Sequence, residues 1–380
     1  MASKLIAVYR YFCFYLIYLL SKIIPFKRKI FLFISMSGNS FGGNPKAFYD
    51  YLKTENNRDF DCVWAFSSQQ ISNYKTDCRK VKLYSFYYYY YLNVSKYIIS
   101  DQRLFKQMMP KKHRRQCYIQ MWHGTALKKI EADMPKLSGQ YKKEAIRDSN
   151  NIDFFLSNSQ YMTKIFRNSF WYEGIILEYG TPRNDIFFDK TAILSAEKRV
   201  RDSFRLSDDV KILLYAPTFR NENSLLFYDI DISRVKENLP GANWIFLLRL
   251  HPNLLDKYSS EQIKKSFPNA IDTSSYSDIQ DLLCAADVLI TDYSSSMFDY
   301  IFMYKPCFIY AKDLNEYERG FYYPIFELPF SVAQSNVELI ENIKKFDGDN
   351  YCEQINTFLN RIGSCEKGTS CRTLFKRIQK

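Results

Sequence analysis

Three histidines occur in the 380-residue sequence, and two of them sit where apolar runs end. His123 follows the run Gln116 to Trp122 and precedes Gly124-Thr125. His251 follows the run Trp244 to Leu250 and precedes Pro252. Histidine is the side chain whose charge changes near neutral pH. Ligands of open α/β sheets bind outside the carboxyl ends of strands. A single histidine in such a place reads equally well as a structural hydrogen bond in a turn. One in each half of the chain points instead to a cleft between two lobes.

The second half also offers a phosphate site. The run Asp287 to Thr291 leads into Asp292-Tyr293-Ser294-Ser295-Ser296 and then a helix. Serines at a helix start cap free backbone N–H groups, and those groups together with the helix dipole attract phosphate. Asp299 lies one turn after Ser295, so both are expected to face one ligand, with the carboxylate accepting from ribose hydroxyls. An ordinary capped helix without ligand is the alternative. Cations gather at comparable places. Arg249 stands two residues before His251, Arg220 follows Ala216-Pro217-Thr218-Phe219, and Arg183 lies in Gly180-Thr181-Pro182-Arg183-Asn184-Asp185. Lys128 and Lys129 follow the string Trp122-His123-Gly124-Thr125. A pyrophosphate needs such groups, though any one of them alone reads as a solvated surface charge. Two strings are set aside. Asp229-Ile230-Asp231 mimics a metal-binding acidic pair but lacks supporting ligands, and Lys111 to Arg115 is a short basic turn rather than a nucleic-acid patch.

These residues must be positioned by strands. Short apolar runs recur at Lys29 to Ser35, Asp61 to Phe66, Ser95 to Ser100, Gln116 to Trp122, Ile152 to Ser157 and Gly174 to Glu178. The first opens into a glycine-rich loop, Ser37 to Pro45, followed by a helix from Lys46 to Lys53. After a charged helical stretch from Ile193 to Leu206 the pattern restarts at Lys211 to Ala216, Trp244 to Leu250, Ala270 to Asp272, Asp287 to Thr291 and Pro306 to Tyr310. Helices fit at Ser277 to Ala285 and Ser294 to Met303. The alternation predicts two α/β domains with parallel sheets, split near residue 190, with a basic helical tail from about Asn350. The expected division is 1–28, 29–190 and 191–380.

Hydrophobic residues make up 47% and charged residues 25%, enough for ordinary cores. The net charge of +12 favours anionic partners: nucleotides, nucleic acid or an anionic membrane surface. Nine scattered cysteines, with no C-x-x-C pair, read as reduced core residues of a cytoplasmic protein rather than as zinc ligands or a disulfide framework. Residues Leu5 to Ile24 are mostly apolar and aromatic, but the uncharged run Tyr11 to Ser21 has only eleven residues. That is short of the roughly 20 needed to span a bilayer. Arg10 and Lys22 bracket it, and Lys27 to Lys29 follow. An interfacial amphipathic helix fits best, against a signal peptide without a small-residue cleavage site or a helix packed on the protein's own core.

Eight strings in order, from about Ser37 to Pro324, resemble the CDP-glycerol glycerophosphotransferase family of teichoic-acid and capsule synthesis: NPKAFYDYL, QMWHGTALKKI, SNSQYM, GTPRNDIFF, LLYAPTFR, LRLHPN, ADVLITDYSSSMFDY and KPCFIYAKDLNEYERGFYYP. The resemblance implies a GT-B-like fold, two Rossmann-like domains with a cleft between them; the N-terminal amphipathic helix is read separately, from its own residues. The resemblance also implies CDP-glycerol or CDP-ribitol as donor, a polyprenyl-linked glycan as acceptor, and a peripheral place on the cytoplasmic membrane face. No cofactor, metal or nucleic acid is implied. Ala126 stands where the family has proline and Thr181 where it has an aromatic, which leaves the acceptor and the polyol open. Without a large additional N-terminal domain, the chain fits a single-transfer or capsule-type member as readily as a polymerase.

The implied reaction is attack of an acceptor hydroxyl on the donor phosphorus that carries the polyol, with CMP leaving. His123 is then the general base, and His251 with Arg249 neutralises the pyrophosphate, although the two histidines could exchange roles. Thr218, Arg220, Asp292, Ser294, Ser295 and Asp299 fall on the donor side. Gly124, Thr125, Lys128, Arg183, Asn184 and Asp185 fall on the acceptor side. One alternative is a GT-B glycosyltransferase using a nucleotide sugar, which would release nucleoside diphosphate. Another is a non-catalytic, membrane-bound nucleotide- or polyanion-binding protein.

Overall fold

The computed structural model describes residues 2–20, 26–54, 60–220, 225–255 and 257–379. The chain forms two units. The first holds Met1–His123, Ile130–Asp185 and Ser364–Lys380; the second holds Gly124–Lys129 and Ile186–Gly363.

Unit 1 is built on seven parallel strands: β1 (Lys27–Ile34), β2 (Asp61–Phe66), β3 (Arg79–Lys82), β4 (Ser95–Ser100), β5 (Cys117–Gln120), β6 (Phe154–Ser157) and β7 (Ile175–Glu178). They lie in the order β3-β2-β1-β4-β5-β6-β7. The central strand β1 buries Phe31, Leu32, Phe33 and Ile34 completely. A parallel strand covered on both faces needs such a continuous apolar run. Helix α2 (Gly43–Thr54) covers one face, packing Phe48 edge-on to Phe31.

Unit 2 repeats the plan with β8 (Lys211–Ala216), β9 (Trp244–Leu248), β10 (Ile271–Asp272), β11 (Val288–Thr291), β12 (Cys307–Tyr310) and β13 (Ser331–Ala333). The order is β10-β9-β8-β11-β12-β13, again parallel throughout. Both sheets therefore carry the 3-2-1-4-5-6 order of dinucleotide-binding folds, with the reversal between β1 and β4 and between β8 and β11. Edge strands β3 and β13 are the two that sequence reading misses. Each buries a single side chain, Val81 or Ala333, so neither carries an apolar run.

Two boundaries differ from expectation. The main segment of the second unit begins at Ile186, close to the expected split near residue 190, but Gly124–Lys129 joins it from within the expected first domain. The basic tail is two helices, Gly348–Arg361 and Ser370–Gln379, and Ser364–Lys380 belongs to unit 1 rather than to the expected division 191–380. At the N-terminus, α1 (Ala2–Leu20) is helical, while the expected extension to Ile24 lies outside the described residues. It seats Cys13, Phe14 and Ile17 against the unit and packs Phe14 edge-on to Tyr89 of α3 (Phe86–Val94). Arg10 bonds Gln107 and lies over the ring of Tyr84. Among the described residues, no helix is long and apolar enough to cross a membrane.

Candidate active site

In unit 1 the ends of β1, β4 and β5 converge. The chain leaves β5 at Gln120, two residues earlier than the run of apolar residues suggests. Trp122 then takes a left-handed conformation with φ 50°, which a bulky residue adopts only when its surroundings hold it there. Its N–H donates to Gln120 Oε1 at 3.0 Å, and its carbonyl accepts from Asn44 Nδ2 at 2.8 Å. This turn presents His123, stacked on Trp122 with ring centroids 4.1 Å apart.

His123 Nδ1 lies 2.8 Å from the backbone oxygen of Asp101, the residue that follows β4. A carbonyl oxygen only accepts, so Nδ1 carries the hydrogen and Nε2 of the neutral ring carries the lone pair. Asp101 is locked in turn. Its carboxylate accepts from Ser35 Oγ at 2.7 Å and from the Met36 N–H at 2.8 Å. Burial pushes its carboxyl up to about 6, against the opposing pull of those two bonds and of the nearby Arg183. The orientation of the imidazole is thus set by the ends of β1 and β4, at the sheet's reversal point. The sequence contains no signal for this beyond an aspartate closing the run Ser95 to Ser100.

The turn Gly180–Asp185 is tied to the C-terminal segment. Asn184 Nδ2 donates to Glu366 Oε1 at 3.1 Å, and the Thr181 N–H donates to Glu366 Oε2 at 3.0 Å. Both oxygens of Asp185 accept at 2.9 Å, from the N–H groups of Ser370 and Cys371 at the start of the last helix. Gly180 holds φ 87°, and a Cβ there would come within 2.6 Å of Glu366 Oε2. Asn184 and Asp185, expected on the acceptor side, therefore anchor the C-terminal segment. Arg183 stays beside Asp101.

In unit 2, Asp292 at the end of β11 accepts from the Thr218 N–H at 2.9 Å, tying together the two loops at that sheet's reversal point. Arg220 bonds Asp292 at 3.0 Å, Asp313 at 2.7 Å through Nε, and Thr218 Oγ1 at 2.6 Å. Its guanidinium clamps the loops after β8 and β11 to Asp313. Arg249 donates to the carbonyls of Tyr276 at 2.7 Å and Thr273 at 3.3 Å, because β9 ends at Leu248 and Arg249 and His251 do not share an extended face.

Gly124–Lys129 docks on this unit. Lys128 forms an antiparallel bridge with Phe321, and the Lys129 N–H donates to Gly320 O at 3.0 Å. Burial pulls the Lys128 ammonium down to about 8; Asp292 and Asp313 oppose that, while Arg319 and Arg220 add to it. His251 is lowered by burial, then by Lys128 and Arg249. Lys128 therefore belongs with His251 and Asp292, not with the acceptor-side group.

The serine run also departs from expectation. The helix is short, Ser296–Tyr300, and Ser295 makes no side-chain cap. Ser294 Oγ accepts from the Ser296 N–H at 3.2 Å instead. Asp299 is 1% exposed and accepts from Gln280 Nε2 at 3.1 Å, so it turns into the core rather than beside Ser295. Of the set-aside acidic pair, Asp231 caps the helix Ile232–Asn238 and Asp229 pairs with Lys312.

Two Rossmann-like parallel sheets, each with polar residues gathered at its reversal point, define an α/β chain of the GT-B-like class. The profile of the CDP-glycerol:poly(glycerophosphate) glycerophosphotransferases matches residues 16–380, and the chain belongs to that family. It is 31% identical over 93% of its length to a teichoic acid poly(glycerol phosphate) polymerase of Staphylococcus epidermidis, and it spans 51% of that relative's length. It is 31% identical to a teichoic acid glycerol-phosphate transferase of Staphylococcus aureus, covering 94% of this chain and 95% of the relative. The solved wall teichoic acid polymerase TagF superposes with a TM-score of 0.82 at 30% identity, over 93% of this chain and 89% of that one.

Proposed function

We propose that the chain transfers glycerol phosphate or ribitol phosphate from a CDP-polyol to a hydroxyl of a lipid-linked teichoic-acid or capsular precursor. The observation that carries this reading is His123, in a family member, held with Nδ1 on Asp101 O, which makes Nε2 the nitrogen that carries the lone pair. Nε2 takes the proton of the acceptor hydroxyl as its oxygen bonds the phosphorus bearing the polyol. The bond from that phosphorus to the bridging oxygen breaks, and CMP leaves with the electron pair. A positioned base contributes about 10²–10⁴-fold. On the donor side, His251, Lys128 and the Ser294-Ser295 turn are the groups that meet the diphosphate and stabilise its growing charge. The outward face of α1 is the reading's membrane contact, at the cytoplasmic surface. Of two relatives of equal identity, one is named a polymerase and the other a glycerol-phosphate transferase, so identity does not choose between polymerisation and single transfer.

The test is incubation of the full chain with CDP-glycerol or CDP-ribitol and lipid-linked acceptor, reading the released nucleotide. CMP with one donor is the expected result. Release of nucleoside diphosphate from a nucleotide sugar would move the chain to the glycosyltransferases, and no turnover of any donor would favour a binding role. His123→Ala is expected to lower kcat by about 10²–10⁴-fold with donor affinity near that of the unsubstituted protein.

A further inference from the structure

Asn44 opens α2, next to the glycine loop, and is 1% exposed. Its amide joins three separate segments. Nδ2 donates to Trp122 O at 2.8 Å and to Met121 O at 3.1 Å. Oδ1 accepts from the Arg183 N–H at 3.1 Å. The assignment of the amide atoms is forced, since a flipped group would set its oxygen against two carbonyls. Trp122 is also the residue held at φ 50°, and its carbonyl belongs to the peptide that carries His123. A left-handed bulky residue persists only where the surroundings over-determine it.

We propose that Asn44 is a positioning residue for the reaction: by gripping the Met121 and Trp122 carbonyls it fixes the peptide that aims His123, and through Arg183 N it holds the Gly180–Asp185 turn in register with it. This rests on His123 being the base. Without the amide donors, two buried carbonyls lose their partner and the Trp122 peptide is free to rotate toward an ordinary conformation. The imidazole then leaves its bond to Asp101 O. Displacements of about 1 Å at a reacting group cost about 100-fold in rate.

The experiment compares Asn44→Ala, Asn44→Asp, His123→Ala and the Asn44→Ala/His123→Ala double variant in the full chain, with CDP-glycerol and lipid-linked acceptor. Asn44→Asp keeps the side-chain volume and the acceptor for Arg183 N but removes the donors, and it serves if Asn44→Ala does not fold. The expected result is a fall in kcat of about 10- to 100-fold for each Asn44 variant, with KM for CDP-glycerol within about twofold. The double variant should be no slower than His123→Ala alone, because both act through one group. Additive losses, a donor KM that rises with the fall in kcat, or activity tracking only the folded fraction would overturn the proposal. Normal kcat in His123→Ala would instead remove the base assignment, whatever the Asn44 variants show.

Discussion

Lys128 shows how a residue's meaning changes with its neighbours. As the fifth residue after His123 it reads as part of one string with it, yet the chain passes into the second unit at Gly124, and the amine sits among Asp292, Asp313, Arg220 and Arg319. Burial is the first cause of its depression to about 8. If the donor's diphosphate binds beside it, as the proposed function has it, the added negative charge raises that value, and donor binding takes up a proton once the pH exceeds about 8. Affinity for CDP-glycerol is therefore expected to be flat near pH 7 and to weaken above about 8, by at most about tenfold per pH unit. His251 is shifted the other way from this window, below its ordinary value, and does not titrate there. Calorimetric titration between pH 7 and 9.5 checks this, and Lys128→Met should abolish the slope while weakening binding at pH 7. A flat profile in the unsubstituted protein would mean that the amine does not face the donor.

At the scale of elements, the Gly180–Asp185 turn is a clasp for the C-terminus. Asp185 is pushed up by burial, with the Cys371 and Ser370 N–H groups pulling it back. Those bonds are the N-terminal cap of the helix Ser370–Gln379, which seats Cys371, Leu374 and Phe375 in the first unit's core. Loss of a capping side chain costs about 0.5–2 kcal/mol. Asp185→Ala should lower stability by that amount in urea unfolding and expose the segment after Gly363 to limited proteolysis. The acceptor KM should stay unchanged. A raised acceptor KM at unaltered stability would return Asp185 to the acceptor site.

For the molecule as a whole, α1 carries a stripe that its own unit leaves uncovered. Val8, Tyr9, Phe12, Tyr15, Leu16, Leu19 and Leu20 are exposed, at helical spacing opposite Cys13, Phe14 and Ile17. Combined with a net charge of +12, this favours an anionic bilayer surface. The full chain is expected to sediment with vesicles of mixed anionic and neutral lipid, less so as salt is raised. Phe12→Asp with Leu19→Asp should release it without lowering its melting temperature. An early-melting variant would show that the stripe is covered by protein, and undiminished sedimentation would place the contact elsewhere.

Much of the architecture is legible from residue order alone. Runs such as Lys29 to Ser35, Lys211 to Ala216 and Asp287 to Thr291 are buried on both faces, and that demand for continuous apolar residues is local and visible. The position of both histidines beyond strand ends is legible for the same reason. Strands β3 and β13 are not, because Arg79–Lys82 and Ser331–Ala333 each bury a single side chain and pair through the backbone, so neither shows an apolar run. The partners of the candidate site are hidden more deeply. Asn44 meets Trp122 across 78 residues, Asp185 meets Cys371 across 186, and Arg220 meets Asp313 across 93. A hydrogen bond depends on the distance and direction of two groups in space, and spacing along the chain carries neither. The sequence by itself determined the two parallel sheets, the family and the histidines. Only the folded chain decided which neighbouring polar residues anchor helices and loops, and which stand beside the imidazoles.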